Sequence, residues 1–173
     1  MIVWINGTFG VGKTTTTQLL VERGRNLRAF DPEWVGYMLS ANLKDLGAAD
    51  FQDLTPWRRL VPHVMSEVQT LTGSDLVAPQ TVLIEAYWNE LKEGMAALGL
   101  DSFHIVLDCN EEVLRNRIEN DELEADARQW RLDHLDRYRE SAAWMRQAAD
   151  LVIDTTDLAP TEVASVAVAA VAS

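Results

Sequence analysis

Eight consecutive residues near the start of the chain, Gly7-Thr8-Phe9-Gly10-Val11-Gly12-Lys13-Thr14, have the types and spacing to do chemistry. Glycines at 7, 10 and 12 let the backbone adopt positive φ and come close to a ligand, so that successive N–H groups converge on an anion. Lys13 adds a mobile positive charge and Thr14 a hydroxyl, at the G-x-x-x-x-G-K-[ST] spacing of a phosphate-binding P-loop. In that arrangement the lysine serves the β- and γ-phosphates and the hydroxyl serves Mg²⁺. The short apolar run Ile2-Val3-Trp4-Ile5-Asn6 leads in, and the helix-compatible Thr15-Thr16-Thr17-Gln18-Leu19-Leu20-Val21 leads out. That strand, loop and helix order is the setting the motif requires, and the helix start adds unpaired amides and the positive end of its dipole. Gly7, Phe9, Gly10, Val11, Gly12, Lys13, Thr14 and Thr15 are therefore the expected ATP-binding residues, with Thr14 as the Mg²⁺ ligand. A plain glycine-rich turn with a surface lysine is the alternative that the flanks argue against.

The elements around the loop read as alternating strands and helices. After a helix over roughly 12–23, Leu27-Arg28-Ala29-Phe30 reads as a strand ending at Asp31, and Asp31-Pro32-Glu33-Trp34 as a helix start with Asp at the N-cap and Pro next. That helix runs to about Leu43, and 44–55 reads as a loop. From Thr55-Pro56, the residues Trp57, Leu60, Val61, Val64, Met65, Val68 and Leu71 recur at helical spacing. Asp75 to Pro79 is a brief buried strand, Gln80 to Glu85 is ambiguous, and a helix from about Tyr87 closes at Gly99. His104 to Asp108 is a strand and Glu111 to Glu119 a helix. Residues 119–126 carry five acids, Glu119, Asp121, Glu122, Glu124 and Asp126, and read as an exposed, mobile segment.

Helical character returns from Arg128 to Ala149, followed by a strand at Asp150 to Asp154, a loop, and a last helix from Thr161 whose Val163, Val166, Ala167, Ala170 and Val171 form one face. That face is expected to pack in the core, since it lacks the cationic flank of a membrane anchor. Strands alternating with helices imply an α/β fold with a parallel sheet, helices on both faces and ligands at the carboxyl ends of the strands. Asp31, the Pro79–Thr81 turn, Asp108-Cys109 and Asp154-Thr155 fall at such ends, so the site is expected to be composite.

Composition narrows the classes. With 173 residues, 47% of them apolar, residues 1–173 fit one domain with one sizeable core. A net charge of −12 argues against a nucleic-acid surface, and so against a polynucleotide kinase, because phosphate neutralisation needs clustered Lys and Arg. Cys109 is the only cysteine, which fits a reducing cytoplasm, and no apolar stretch approaches the ~20 residues of a membrane span. His63, His104 and His134 are scattered and form no metal-ligand pattern. A small-molecule acceptor is the expected partner, and a homodimer is compatible with the sequence.

The residues also suggest a family. Trp4-Ile5-Asn6-Gly7-Thr8-Phe9-Gly10-Val11-Gly12-Lys13-Thr14, Phe30-Asp31-Pro32-Glu33 with Gly36, Asp50-Phe51-Gln52 with Pro56-Trp57-Arg58, and Val77-Ala78-Pro79-Gln80-Thr81 with His104 resemble the tunicamycin-resistance ATP-binding proteins. More distantly the chain is similar to small P-loop kinases such as chloramphenicol phosphotransferase, gluconate kinase and shikimate kinase. The closer likeness spans roughly residues 1–110. It implies a three-layer, nucleoside-monophosphate-kinase-like P-loop NTPase with a five-stranded parallel sheet, ATP and Mg²⁺ binding, phosphoryl transfer and a role in antibiotic resistance. It also implies an arginine-bearing lid, here about 118–130, with Arg115 and Arg117 at its root, Arg128 and Arg131 after it, and Thr155-Thr156-Asp157 near the base. The chain departs from those kinases after Leu76-Val77-Ala78, where Pro79-Gln80 stand in place of a Walker B acid.

Within this frame Lys13, Asp31, Arg117 and Arg128 are the expected catalytic residues, and Arg115 and Thr155 join the nucleotide-binding set. Asp31 reads equally as a general base for an acceptor hydroxyl and as the cap of the helix at Pro32. Arg117 or Arg128 reads as a lid arginine neutralising the transferred phosphoryl group, against simple i,i+4 pairing with nearby acids. Arg58 reads as a surface salt bridge or an acceptor contact. Trp34, Trp57, Tyr87 and Trp88 read as an aromatic acceptor pocket or as core edges, and Glu85 as a substitute carboxylate or a solvated acid. An ATP-dependent small-molecule kinase is the leading reading; a nucleotide-binding protein that sequesters an antibiotic or works as a switch, without phosphorylating anything, is the second.

Overall fold

Five β-branched or otherwise strand-compatible residues, Ile2–Asn6, form strand β1, and every one of them is buried. The computed structural model describes residues 1–122 and 125–172, so Glu124 of the acidic run lies outside the described residues. Along the chain follow α1 (Lys13–Arg23), β2 (Leu27–Ala29), α2 (Glu33–Asn42), two short 3₁₀ turns (Lys44–Leu46 and Phe51–Asp53), α3 (Thr55–Thr72), β3 (Asp75–Pro79) and α4 (Glu85–Ala97). Then come β4 (Ser102–Asp108), α5 (Glu111–Glu119), a 3₁₀ turn (Ala125–Ala127), α6 (Arg128–Asp133), α7 (Leu135–Ala148), β5 (Leu151–Asp154) and α8 (Pro160–Val171).

All pairings in the sheet are parallel and the strand order is β2-β3-β1-β4-β5, which puts β1 and its loop at the centre. Ile5 is level with Pro79 of β3 on one side and Ile105 of β4 on the other. Side chains alternate between the faces of a strand. Val3 and Ile5 accordingly join Leu20 of α1, Leu114 and Ile118 of α5, Met145 of α7 and Val163 and Ala167 of α8 in one apolar layer. Ile2 and Trp4 join Val35 of α2, Trp57, Val61 and Met65 of α3, and Trp88, Leu91 and Met95 of α4 in the other. This is the three-layer α/β architecture expected from the alternation.

Several details differ from the sequence reading. The 44–55 segment is not wholly irregular, because Asp50 accepts from the Gln52 N–H and starts a 3₁₀ turn. Helix α4 starts at Glu85, two residues before Tyr87, and β4 starts at Ser102, two before His104. The helical stretch after Arg128 is divided at His134. On α3 the apolar stripe outruns the sheet it covers, leaving Leu71 87% exposed, while Pro62 is buried and lies against Gly94 of α4. On α8 the packed face is Val163, Ala164 and Ala167, and Val166 is 43% exposed, since small alanines let the helix approach α1 closely along a stripe rotated from the valines. No helix among the described residues is long and apolar enough to cross a membrane.

Candidate active site

The loop after β1 is shaped by its glycines and held from below. Gly7, Gly10 and Gly12 have φ of 143°, 76° and 102°, a region that L side chains rarely occupy. At Gly7 a Cβ would lie 2.6 Å from the Leu107 carbonyl oxygen, and at Gly10 it would lie 2.9 Å from Ile118 Cγ1, so neither position accepts a side chain without displacement. At Gly12 a Cβ would meet nothing within 4 Å, because this glycine borders open space. Gly12 also precedes α1 as its cap residue and offers no side-chain oxygen, leaving the first-turn amides to a ligand. Thr14 and Thr15 stand exposed in that first turn, and Val11 is buried.

Asn6 anchors the loop. Its Oδ1 accepts from the N–H groups of Gly7 and Val82, both at 2.9 Å, and its Nδ2 donates to the Val82 carbonyl at 3.1 Å. Thr81 Oγ1 donates to the Gly7 carbonyl at 2.8 Å, so the segment after β3 and the loop after β1 are tied together. A polar residue ending an otherwise apolar strand, directly before the first glycine, was the signal for Asn6. Lys13 Nζ turns back onto the loop, donating to the carbonyls of Thr8 at 2.8 Å and Gly7 at 3.1 Å, and lies 5.4 Å from the Phe9 ring centre.

A cleft of about 1440 Å³ opens on one side of the loop. Its lining includes the polar residues Lys13, Thr14, Asp31, Gln80 and Thr81 and the apolar or aromatic residues Trp34, Tyr37, Met38, Phe51, Val64 and Val68. Trp34 is 70% exposed, with Tyr37 and Met38 one helical turn further along α2 and also exposed. A smaller recess of about 330 Å³ lies on the other side, between Gly10, Gly12, Thr15, Arg117, Thr155, Leu158 and Pro160. Gly10, Gly12, Thr15, Asp121 and Arg131 border both, so the two spaces adjoin across the loop.

The sequence-selected residues divide on this geometry. Asp31 lies on the cleft, and its Oδ1 also accepts from the Glu33 N–H at 2.9 Å, so one carboxylate borders the cleft and caps α2. Arg117 sits in the smaller recess, with Nη1 donating to Thr155 Oγ1 at 3.1 Å and Nη2 to the Thr155 carbonyl at 2.7 Å. Thr155 is itself fixed by its N–H, which donates to the Asp108 carbonyl at 2.8 Å. Arg115 does not join them: two residues on a helix are about 200° apart, and Arg115 is paired instead with Glu111 on the exposed side of α5.

Arg128 lines neither space. Arg131, three residues on, borders both; it is 6% exposed, its Nη1 contacts Asp121 Oδ2 at 2.7 Å, and its Nη2 would lie 3.7 Å from a Cβ on Gly10. Asp121 is thereby half-buried, whereas Glu119, Glu122 and Asp126 are exposed as the acidic run suggested. Phe9 meets Trp130 edge-on at 4.7 Å, and Trp130 packs on His134 at 4.0 Å.

Packing decides between the remaining alternatives. Trp57 and Trp88 are core residues, with Trp57 Nε1 donating to the Pro32 carbonyl at 3.0 Å, so of the four aromatics only Trp34 borders the cleft. Tyr87 stacks under the Arg58 guanidinium at 4.1 Å. Arg58 is 7% exposed and bound to Glu90, Thr55 and the Gln52 carbonyl, a buried structural knot and no surface pair. Glu85 is exposed at the start of α4 and lines neither space. Asp108, at the end of β4, accepts from Tyr138 Oη at 2.6 Å and Arg146 Nε at 2.7 Å. Burial and that bond raise the Tyr138 phenol well above its ordinary range, and the same carboxylate raises the Arg146 guanidinium. No group of three His, Cys, Asp or Glu that could hold a metal ion occurs among the described residues.

The geometry agrees with comparisons to known proteins. The chain is similar to the tunicamycin resistance protein of Deinococcus radiodurans, at 26% identity and a TM-score of 0.79 over 99% of this chain and 95% of that one. It shares its fold with an APS kinase from Mycobacterium tuberculosis solved with AMPPNP and APS, at 21% identity and a TM-score of 0.71 over 99% and 97% of the two chains. A shikimate kinase from Acinetobacter baumannii, solved with shikimate, superposes at a TM-score of 0.65 with 17% identity over 99% and 92%. No curated protein matches the sequence. The family model described as an AAA domain matches residues 3–144, from β1 through the phosphate loop to α7. The chain belongs to that AAA-domain family and is built as the P-loop small-molecule kinases are.

Proposed function

We propose that the protein is an ATP-dependent phosphotransferase acting on the hydroxyl of a small, largely uncharged molecule. The observation that carries this is one cleft lined by Lys13 and Thr14 of the loop, by Asp31 and by Trp34, Tyr37 and Met38 of α2. Phosphoryl transfer needs little covalent help from a protein, and consists mostly of positioning and charge stabilisation. The loop amides and Lys13 bind the triphosphate, and the recess beside Arg117, Thr155 and Leu158 takes the nucleoside end. Asp31 accepts the proton of the acceptor hydroxyl as its oxygen bonds to the γ-phosphorus and the bond to the ADP oxygen breaks. Arg131, already against the loop at Gly10, stabilises the charge on the transferred group.

The oxygen ligands beside the loop fit a divalent ion: the Thr14 hydroxyl is exposed in the first turn of α1, and a buried carboxamide oxygen on Gln80 has no partner among the described residues. When bound, the ion neutralises phosphate charge. On this proposal residues 1–173 act as one domain, in the cytoplasm where ATP is abundant, with a small molecule as partner.

A second reading, nucleotide-dependent sequestration without transfer, is favoured by one feature: β3 ends at Pro79 and is followed by Gln80, with no carboxylate there. Incubation with γ-labelled ATP and a panel of tunicamycin, chloramphenicol, nucleosides and sugars separates the two. Label transfer that falls at least about 100-fold in Asp31→Asn while ATP binding persists supports the kinase; ATP binding with no transfer to any acceptor supports sequestration.

A further inference from the structure

The strand beside the phosphate loop ends in a neutral amide. Pro79 of β3 is level with Ile5, and the N–H of Gln80 donates to the Ile5 carbonyl at 3.0 Å, which sets Gln80 against the start of the loop. Its neighbour Thr81 is bonded to Gly7, and both residues line the cleft with Lys13 and Thr14. P-loop NTPases use a carboxylate on a second strand, together with the loop hydroxyl, to hold Mg²⁺.

The state of the Gln80 side chain is the telling observation. It is 4% exposed, its Nε2 reaches the Thr81 carbonyl only at 3.5 Å, and its Oε1 is shielded and accepts from none of the described residues. The equally buried carboxamide of Asn6, on the adjoining strand, has all its described bonds made within the fold. A buried acceptor without a donor is a standing cost that an apolar residue of the same size would not carry. Because Gln80 borders the cleft with Lys13 and Thr14, a ligand bound there can supply that donor.

We propose that the Gln80 carboxamide is the strand-side acceptor for the water shell of the divalent ion that accompanies the nucleotide, standing in for a carboxylate. This rests on the reading of residues 7–14 as a nucleotide site. An amide oxygen accepts hydrogen bonds from metal-bound water but adds no charge, so the ion is held chiefly by the phosphates and Thr14. It follows that Gln80→Glu strengthens metal binding and at the same time repels metal-free nucleotide, two effects of opposite sign.

The test measures free Mn²⁺ by electron paramagnetic resonance in the presence of saturating AMPPNP, and metal-free AMPPNP affinity by calorimetry. Q80E is expected to tighten Mn²⁺ roughly tenfold, since charge-assisted bonds are about twice as strong as neutral ones, while weakening metal-free AMPPNP. Gln80→Met, of similar size and without the acceptor, is expected to loosen Mn²⁺ by roughly threefold or more and to leave metal-free AMPPNP affinity unchanged; it carries the test alone if Q80E does not fold. Mn²⁺ affinity within twofold of wild type in Q80M, or in a folded Q80E, overturns the proposal. Failure of the wild type to bind AMPPNP at all overturns the nucleotide reading itself, which is a separable result.

Discussion

Protonation of one buried ring should set the acid limit of this fold. His104 lies on β4, 1% exposed, stacked on Trp88 at 4.0 Å, with Nδ1 3.2 Å from the Ala148 carbonyl. Burial pulls its pKa from 6.5 to about 4, against the opposing pull of the Ala148 bond and the Asp150 charge, with Lys92 adding slightly to the fall. Between these two values the unfolded chain binds a proton that the folded chain refuses, so stability falls as pH drops from about 6.5 towards 4. Integrating that difference gives a loss of about 2 kcal/mol between pH 7.5 and pH 5 from this group alone. Urea unfolding at both pH values, for wild type and for His104→Phe, isolates it. Phenylalanine keeps the stack on Trp88 and gives up the bond to Ala148, a cost of about 1 kcal/mol that is the same at both pH values and cancels in the comparison. The wild type should lose about 2 kcal/mol more than the variant on acidification. Equal losses would refute the argument, and would mean that the ring is already protonated in the folded state or is reached by water.

Lys13→Ala should weaken AMPPNP binding about 10- to 150-fold by calorimetry, the worth of a charged hydrogen-bond donor to phosphate; an affinity within about twofold of wild type would show that Nζ, which donates to the Thr8 and Gly7 carbonyls, does not serve the phosphates. Gly7→Ala should cost about 2–4 kcal/mol and lower the melting temperature by roughly 4–16 °C, since its Cβ would lie 2.6 Å from the Leu107 oxygen at a φ of 143°; a melting temperature within 2 °C of wild type by calorimetry would show that the loop relaxes.

The phosphate loop and the alternation of parallel strands with helices around it were legible because residue type and spacing constrain them, whereas the strand order was not read from the sequence. Three glycines with a lysine and a threonine at fixed spacing, after five strand-forming residues, admit few structures. What the sequence left undetermined was which side of a helix meets a neighbour. Arg128 and Arg131 are three residues apart and chemically identical, and only the packing of α6 against Gly10 distinguishes them. Arg115 and Arg117 raised the same question, which the turn of α5 answers in favour of Arg117. Arg58 sits among apolar residues of α3 and looked like a surface charge; its partners Gln52 and Glu90 come from separate parts of the chain, and no local pattern announces such a knot. Trp57 and Trp88 differ from Trp34 only in the layer that covers them.

The contact between Phe9 and Trp130 has a practical and a mechanical meaning. Phe9 is part of the turn that would wrap phosphate, and Trp130 belongs to the short helix beyond the acidic run, so a displacement of either ring is transmitted to the other through their shared seam. In a variant whose other five tryptophans are replaced, the Trp130 indole would serve as an optical gauge of that turn without any attached dye. It also means that the aromatic at position 9, which a glycine-centred view of the motif treats as filler, is the tether joining the glycine-rich loop to the helix of Arg128–Asp133.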